Sequence, residues 1–141
     1  SEQAFCALLS RLQVLWADGR TPPLEARLSV LASFAAELRS LGPANFLYAD
    51  GDALFAHGHR RLQAVGGLPE PPGLWLRQRH CRAADPVPEC AAGVSISPGE
   101  QAVLWVASVP LTDDGDWRPM AEGELVAVRR GECIETRSPD A

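Results

Sequence analysis

The sequence predicts an α+β fold, with two N-terminal helices packed on a mostly antiparallel sheet. Three observations predict it. Apolar residues recur at helical spacing through residues 1–41. An Asp-Gly pair then sits between two short apolar runs, the strongest short-range hairpin signal. The rest of the chain is a series of short apolar runs broken by Gly and Pro. Helices gathered at one end of an otherwise β-rich chain give α+β.

The elements follow in order. Ser1 is a good helix cap, and Glu2 places acid in the first turn, where the helix dipole favours it. Phe5, Leu8, Leu9, Leu12 and Leu15 or Trp16 form one amphipathic stripe, which Asp18-Gly19 ends. Thr21 with Pro22 predicts the start of a second helix. Leu24, Leu28, Leu31, Ala35 and Leu38 are its stripe, and Gly42-Pro43 stops it.

Asn45–Ala49 and Ala53–His57 then flank Asp50-Gly51-Asp52 as a hairpin with a type I′ turn, apolar on both faces and so expected to be buried on both. A Gly/Pro-rich loop spans Gly66 to Gly73. Leu74-Trp75-Leu76 is a short strand, and residues 80–99 are an irregular excursion with a possible strand at Val94–Ser97. Ala102–Val109 is a continuous apolar run, expected to be a central strand covered on both faces. Asp113-Asp114-Gly115-Asp116 is a turn, and Glu124–Arg129 pairs with Glu132–Thr136 around Arg130-Gly131.

The chain has 141 residues, one domain's worth, with 46% hydrophobic residues and a net charge of −5. An acidic balance gives no reason to expect nucleic acid or an anionic membrane as partner. All thirteen basic residues are arginine, which excludes a Schiff-base or P-loop lysine within the chain. No apolar run approaches the ~20 residues a membrane span needs. The start Ser1-Glu2-Gln3 reads as a processed or excised segment without a signal peptide, the compartment as cytoplasmic, and the scattered cysteines as reduced.

Few residues offer chemistry. His57 and His59 flank Gly58 and could begin a metal site, but no matching ligands accompany them, and they read as a strand-end pair near the surface. His80-Cys81 with Cys90 leaves a zinc site or a Cys81–Cys90 disulfide open, against the single loose spacing and the reducing compartment. Cys6 lies near the apolar face of the first helix, as a small core residue would. The Asp113, Asp114 and Asp116 cluster lacks the rest of a calcium loop. Ser1 at a free N-terminus could act as a nucleophile with its own amine as base, although capping a helix is sufficient employment for it. No cofactor or metal is expected.

Several segments taken together look familiar. They are S-E-Q-A-F opening a helix, L-A-S-F-A-A-E-L-R at Leu31–Arg39, N-F-L-Y-A-D-G-D-A-L-F-A-H-G, A-S-V-P-L-T followed by Trp117, and G-E-L-V-A-V-R-R-G-E. In this order they resemble the back half of class II glutamine amidotransferases, of the stand-alone type related to the ergothioneine-pathway amidohydrolase. The resemblance implies part of the αββα sandwich of N-terminal-nucleophile hydrolases.

It also implies an N-terminal cysteine that attacks the amide of glutamine or of a γ-glutamyl compound. That cysteine, the oxyanion hole and the main substrate clamps belong to a front half that this chain lacks. Ser1 and Glu2 are all that remains of a Thr-Asp-Ser-Glu-type motif near the glutamine pocket, so Ser1 matches a helix start and not the nucleophile. Asn45, the chain's sole asparagine, is assigned to the pocket wall or to the strand start. The expected partner is the front half-domain bearing the cysteine, and the expected consequence is exposed apolar sheet surface. The rival readings are a non-catalytic binding or scaffold module and a hydrolase that uses Ser1.

Overall fold

A computed structural model of the chain describes residues 2–64, 66–82, 100–113 and 115–139. Ser1, Cys90, Asp114 and the expected strand Val94–Ser97 lie outside the described residues. Helix α1 spans Glu2–Gln13 and tightens into a 3-10 turn at Val14–Trp16. Gly19, with φ 70°, donates to the Trp16 carbonyl and ends the helical path. Leu8 and Leu12 are buried, while Phe5 and Leu9 of the same stripe are open to solvent.

Helix α2 spans Leu24–Leu41. It starts later than the Thr21-Pro22 signal predicts. Pro23 holds the cap position with φ −53° and ψ 140° and no side-chain cap. A residue that precedes proline is pushed away from the helical region, so Pro22-Pro23 stays extended and the helix begins behind it.

Nine short strands follow among the described residues. They are β1 (Phe46–Ala49), β2 (Leu54–His57), β3 (Arg61–Leu62), β4 (Pro69–Glu70), β5 (Trp75–Cys81), β6 (Gln101–Ala107), β7 (Arg118–Pro119), β8 (Leu125–Arg129) and β9 (Glu132–Arg137). They form a four-stranded sheet in the order β1-β2-β8-β9, a three-stranded sheet in the order β6-β5-β7, and the small β3-β4 pair. Every pairing is antiparallel.

The type I′ expectation holds for the other hairpin. Arg130 (φ 53°) and Gly131 (φ 78°) form the two-residue turn between β8 and β9. The turn between β1 and β2 has four residues, because the Asp50 carboxylate accepts from the Asp52 and Ala53 amides at 3.1 and 3.0 Å. That side-chain turn needs only one positive φ, at Gly51. Gly131 serves a second purpose, since a Cβ there would lie 1.9 Å from the Ala102 carbonyl oxygen.

Three further expectations are corrected. Strand β5 runs on through His80 and Cys81, which are therefore not part of an irregular excursion. Among the described residues strand β6 is bonded to β5 alone, at the end of its sheet, and is half-buried, not central. Strand β1 is covered on one face only, with Leu47 55% exposed on the other.

Two cores define the layers. Leu8, Leu12, Leu28, Leu31 and Phe34 of the helices pack on Phe55, Leu125 and Ala127. On the opposite face of the same sheet, Ala56, Val126 and Val128 meet Leu76, Met120, Leu104 and Val106. The order is thus helices, first sheet, second sheet, an α+β architecture. Each fully buried Leu, Phe or Val contributes about 1.5–3 kcal/mol. No described helix is long and apolar enough to cross a membrane.

Candidate functional site

Strand β2 carries its polar ends inward. His57 and His59 are both buried, which corrects their reading as a surface pair. The first sits on β2 and the second beyond its end, so they do not share a strand face. The Nδ1–H of His57 donates to the Glu124 carbonyl at 3.1 Å, leaving Nε2 buried without a partner. Burial, reinforced by the positive charge of Arg39, pushes the His57 pKa down to about 4. His59 Nδ1 accepts from the Ala44 amide at 3.3 Å, and its Nε2 lies 3.3 Å from Glu122. Burial lowers its pKa, with Glu122 opposing. His57 Nε2 is thus sealed from solvent, and His59 Nε2 faces the Glu122 carboxylate.

Glu124 anchors this region. Its buried carboxylate takes both guanidinium nitrogens of Arg118, at 2.8 and 3.0 Å, and the Ala121 amide at 2.7 Å. A second charged cluster closes the other end of the β1-β2 hairpin. Arg27 of α2, 1% exposed, binds Asp50 and Asp52 at 2.7 Å each, and Arg129 of β8 joins Asp52 at 2.6 Å. These contacts hold the Asp52 carboxyl below its usual range, Arg129 first and Arg27 second. Sequence reasoning missed both clusters. The available signal was Arg27 itself, a charge set between Leu24, Leu28 and Leu31 on the apolar stripe.

Asn45 is a bracket across two chain segments. Its Oδ1 accepts from the His59 amide and its Nδ2 donates to the Arg60 carbonyl, both at 2.8 Å. Gly73 lies flush against it, where a Cβ would meet Oδ1 at 1.9 Å. Replacing Asn45 by alanine strands the His59 amide, and should lower unfolding free energy by about 1–3 kcal/mol in urea titrations. Unchanged stability would mean that water takes over the bracket.

The first turn of α1 and the start of β1 come together at one apolar cavity of about 510 Å³, with Phe5, Phe34, Phe46 and Leu47 in its walls and Asn45 at its edge. Glu2 is exposed on that same turn. On the other side of β1 a groove of about 470 Å³ runs between the two sheets, walled by Leu47, Ala49, Leu54, Leu104, Val106 and Val128.

Cys6, Cys81 and Cys133 are free thiols. Cys6 is exposed on α1, not a core residue as its place beside Phe5 suggested. The Cys133 sulfur faces the Glu135 carbonyl and the Thr136 hydroxyl. Among the described residues no three metal-ligating side chains converge. The helix layer, the hairpin and the two stacked sheets thus form a scaffold around an open seam.

Comparison with known proteins gives this scaffold its kinship. The model of the class II glutamine amidotransferases matches residues 1–141. The chain belongs to that family. A crystal structure described as a predicted glutamine amidotransferase from Pseudomonas aeruginosa PA01 superposes with a TM-score of 0.69 and 30% sequence identity. The match covers 96% of this chain and 49% of that one, so the chain spans about half the length of the relative. No curated protein matches.

Proposed function

We propose that this chain is the scaffold half of a class II glutamine amidotransferase that releases ammonia from glutamine or from a γ-glutamyl amide. The nucleophilic cysteine comes from a companion half, matching the part of the relative outside the alignment. The observation that carries this reading is a pairing of facts. The family match runs the whole chain, yet the chain spans only 49% of a family relative.

In this reading the companion's thiolate attacks the side-chain carbonyl carbon, forming a thioester as ammonia leaves with a proton. Water then cleaves the thioester to the carboxylate and restores the thiol. The substrate's amino-acid end lies at the end of the fold where β1 and the described part of α1 begin, near Glu2 and Asn45. The open cavity beside Phe5 and Asn45 supports that placement. Free thiols suit a reducing compartment such as the cytoplasm.

The test is a chimera in which this chain replaces its counterpart in the Pseudomonas aeruginosa protein. Glutamine should be converted to glutamate and ammonia, and a Cys→Ala change at the companion's N-terminus should abolish turnover. Turnover by the 141-residue chain alone, or turnover that survives the Cys→Ala change, would overturn the proposal.

A further inference from the structure

A small cavity of about 100 Å³ lies where α2 passes the start of β8 and the end of β9. Ala32, Ala35 and Ala36 of α2 leave the space. Two guanidinium groups line it from different elements, Arg39 from the last turn of α2 and Arg137 from the end of β9. Ser138 adds a hydroxyl next to Arg137. Among the described residues no carboxylate lines the cavity.

Neither arginine is fully answered by the protein. Arg39 is half-buried, and among the described residues no carboxylate pairs with it. Its guanidinium carbon lies 3.4 Å from where a Cβ on Gly123 would stand, so the glycine leaves it space. The negative pole of α2 offsets only part of its charge. That charge reaches His57, whose pKa burial and then Arg39 push down to about 4. Arg137 binds Glu25 through Nη2, which leaves the rest of its fork toward the cavity. Glu25 is 76% exposed, so water screens its hold.

We infer that Arg39, Arg137 and Ser138 form a binding site for a small tetrahedral oxyanion, either inorganic phosphate or the phosphoryl group of a larger molecule. Two forks on different elements suit an acceptor with oxygens on more than one side, which a tetrahedral dianion has and a single carboxylate lacks. The cavity admits the acidic group alone, and anything attached to it stands in solvent past the exposed Ser138. The site is independent of the chain's part in glutamine hydrolysis.

The test uses the 141-residue chain with inorganic sulfate as probe, since its charge does not change through the His57 window, at an ionic strength fixed with sodium chloride. The Gly123 and Ser138 amides should shift in NMR spectra and saturate at roughly millimolar sulfate. Arg39→Gln should weaken binding by ~10-fold or more, the loss expected for a hydrogen bond to a charged group. Arg39→Lys should weaken it less, because the charge stays and only the fork is lost. His57, which also faces His59 and the Glu124 carbonyl, should titrate about 0.7 of a pH unit higher in saturating sulfate, as the anion offsets Arg39. Methyl phosphate that displaces sulfate as well as inorganic phosphate does would make a phosphoryl group the ligand; displacement by inorganic phosphate alone would make it the free ion.

Equal shifts with sodium chloride alone, or full binding by folded Arg39→Gln, overturn the inference. Should Arg39→Gln fail to fold, the parent chain decides: a His57 titration unmoved at the sulfate concentration that saturates Gly123 sinks the site. Binding that appears only after Asp140→Asn also overturns it, by giving the two guanidinium groups to a carboxylate of the chain itself.

Discussion

Arg27→Ala should destabilise the chain by about 3–5 kcal/mol, the cost of leaving a buried charge without its partner. The guanidinium is 1% exposed and joins Asp50, itself 2% exposed, to Asp52. It also lies 5.6 Å from the centre of the Phe55 ring, in contact with the main core. Truncation strands Asp50, which continues to hold the hairpin turn through its other oxygen. A domain of this size holds only about 5–15 kcal/mol in total, so the loss should be visible as a large fall in the urea midpoint.

A double-mutant cycle identifies the cause. Asp50→Asn keeps the oxygen that accepts from Asp52 and Ala53 while removing the charge. Arg27→Met with Asp50→Asn should therefore be less damaging than Arg27→Met alone. If Arg27→Met alone costs under about 1 kcal/mol, the buried pair is not what fastens α2 to the hairpin.

These same residues show what a linear reading can recover. The helices, the two hairpins and their order were legible because each depends on neighbours within a few positions. The β1-β2 turn was misjudged because the Asp50 side chain, not backbone propensity, closes it. Arg27 was passed over because its partners are 23 and 25 positions away.

The burial of His57 depends on Glu124, 67 positions distant, and His-x-His spacing carries no hint of that. Strand β6 looked central because it is apolar on both faces. One face packs on the first sheet, and among the described residues the strand pairs with β5 alone, so continuous apolarity does not by itself mark a central strand. Of the residues assigned to substrate, Asn45 has its amide engaged by backbone, Glu2 stands free on the first turn of α1, and Ser1 lies outside the described residues.

Acid should weaken this fold in a window set by His57. Its folded pKa of about 4 lies below the ordinary value of 6.5, so the unfolded chain binds more protons between the two. Stability from the neutral imidazole is complete above the unfolded value, falls as pH drops through the window, and levels off below about 4. The depressed value corresponds to about 3 kcal/mol at 1.36 kcal/mol per unit.

Protonation cannot be accommodated because Nε2 is sealed without an acceptor, and Arg39 and the neighbouring His59 add positive charge. Glu124 faces the ring with its carbonyl, while its carboxylate is held by Arg118. His59, also lowered, adds to the slope in the same direction. His57→Asn keeps a donor toward the Glu124 carbonyl and removes the titrating group. Urea midpoints for the parent should fall between pH 6.5 and 4 more steeply than those for His57→Asn. Parallel curves, or a His57 ring that titrates near 6.5 by NMR, would show that water reaches Nε2 and that the imidazole is not the acid-sensitive element of this fold.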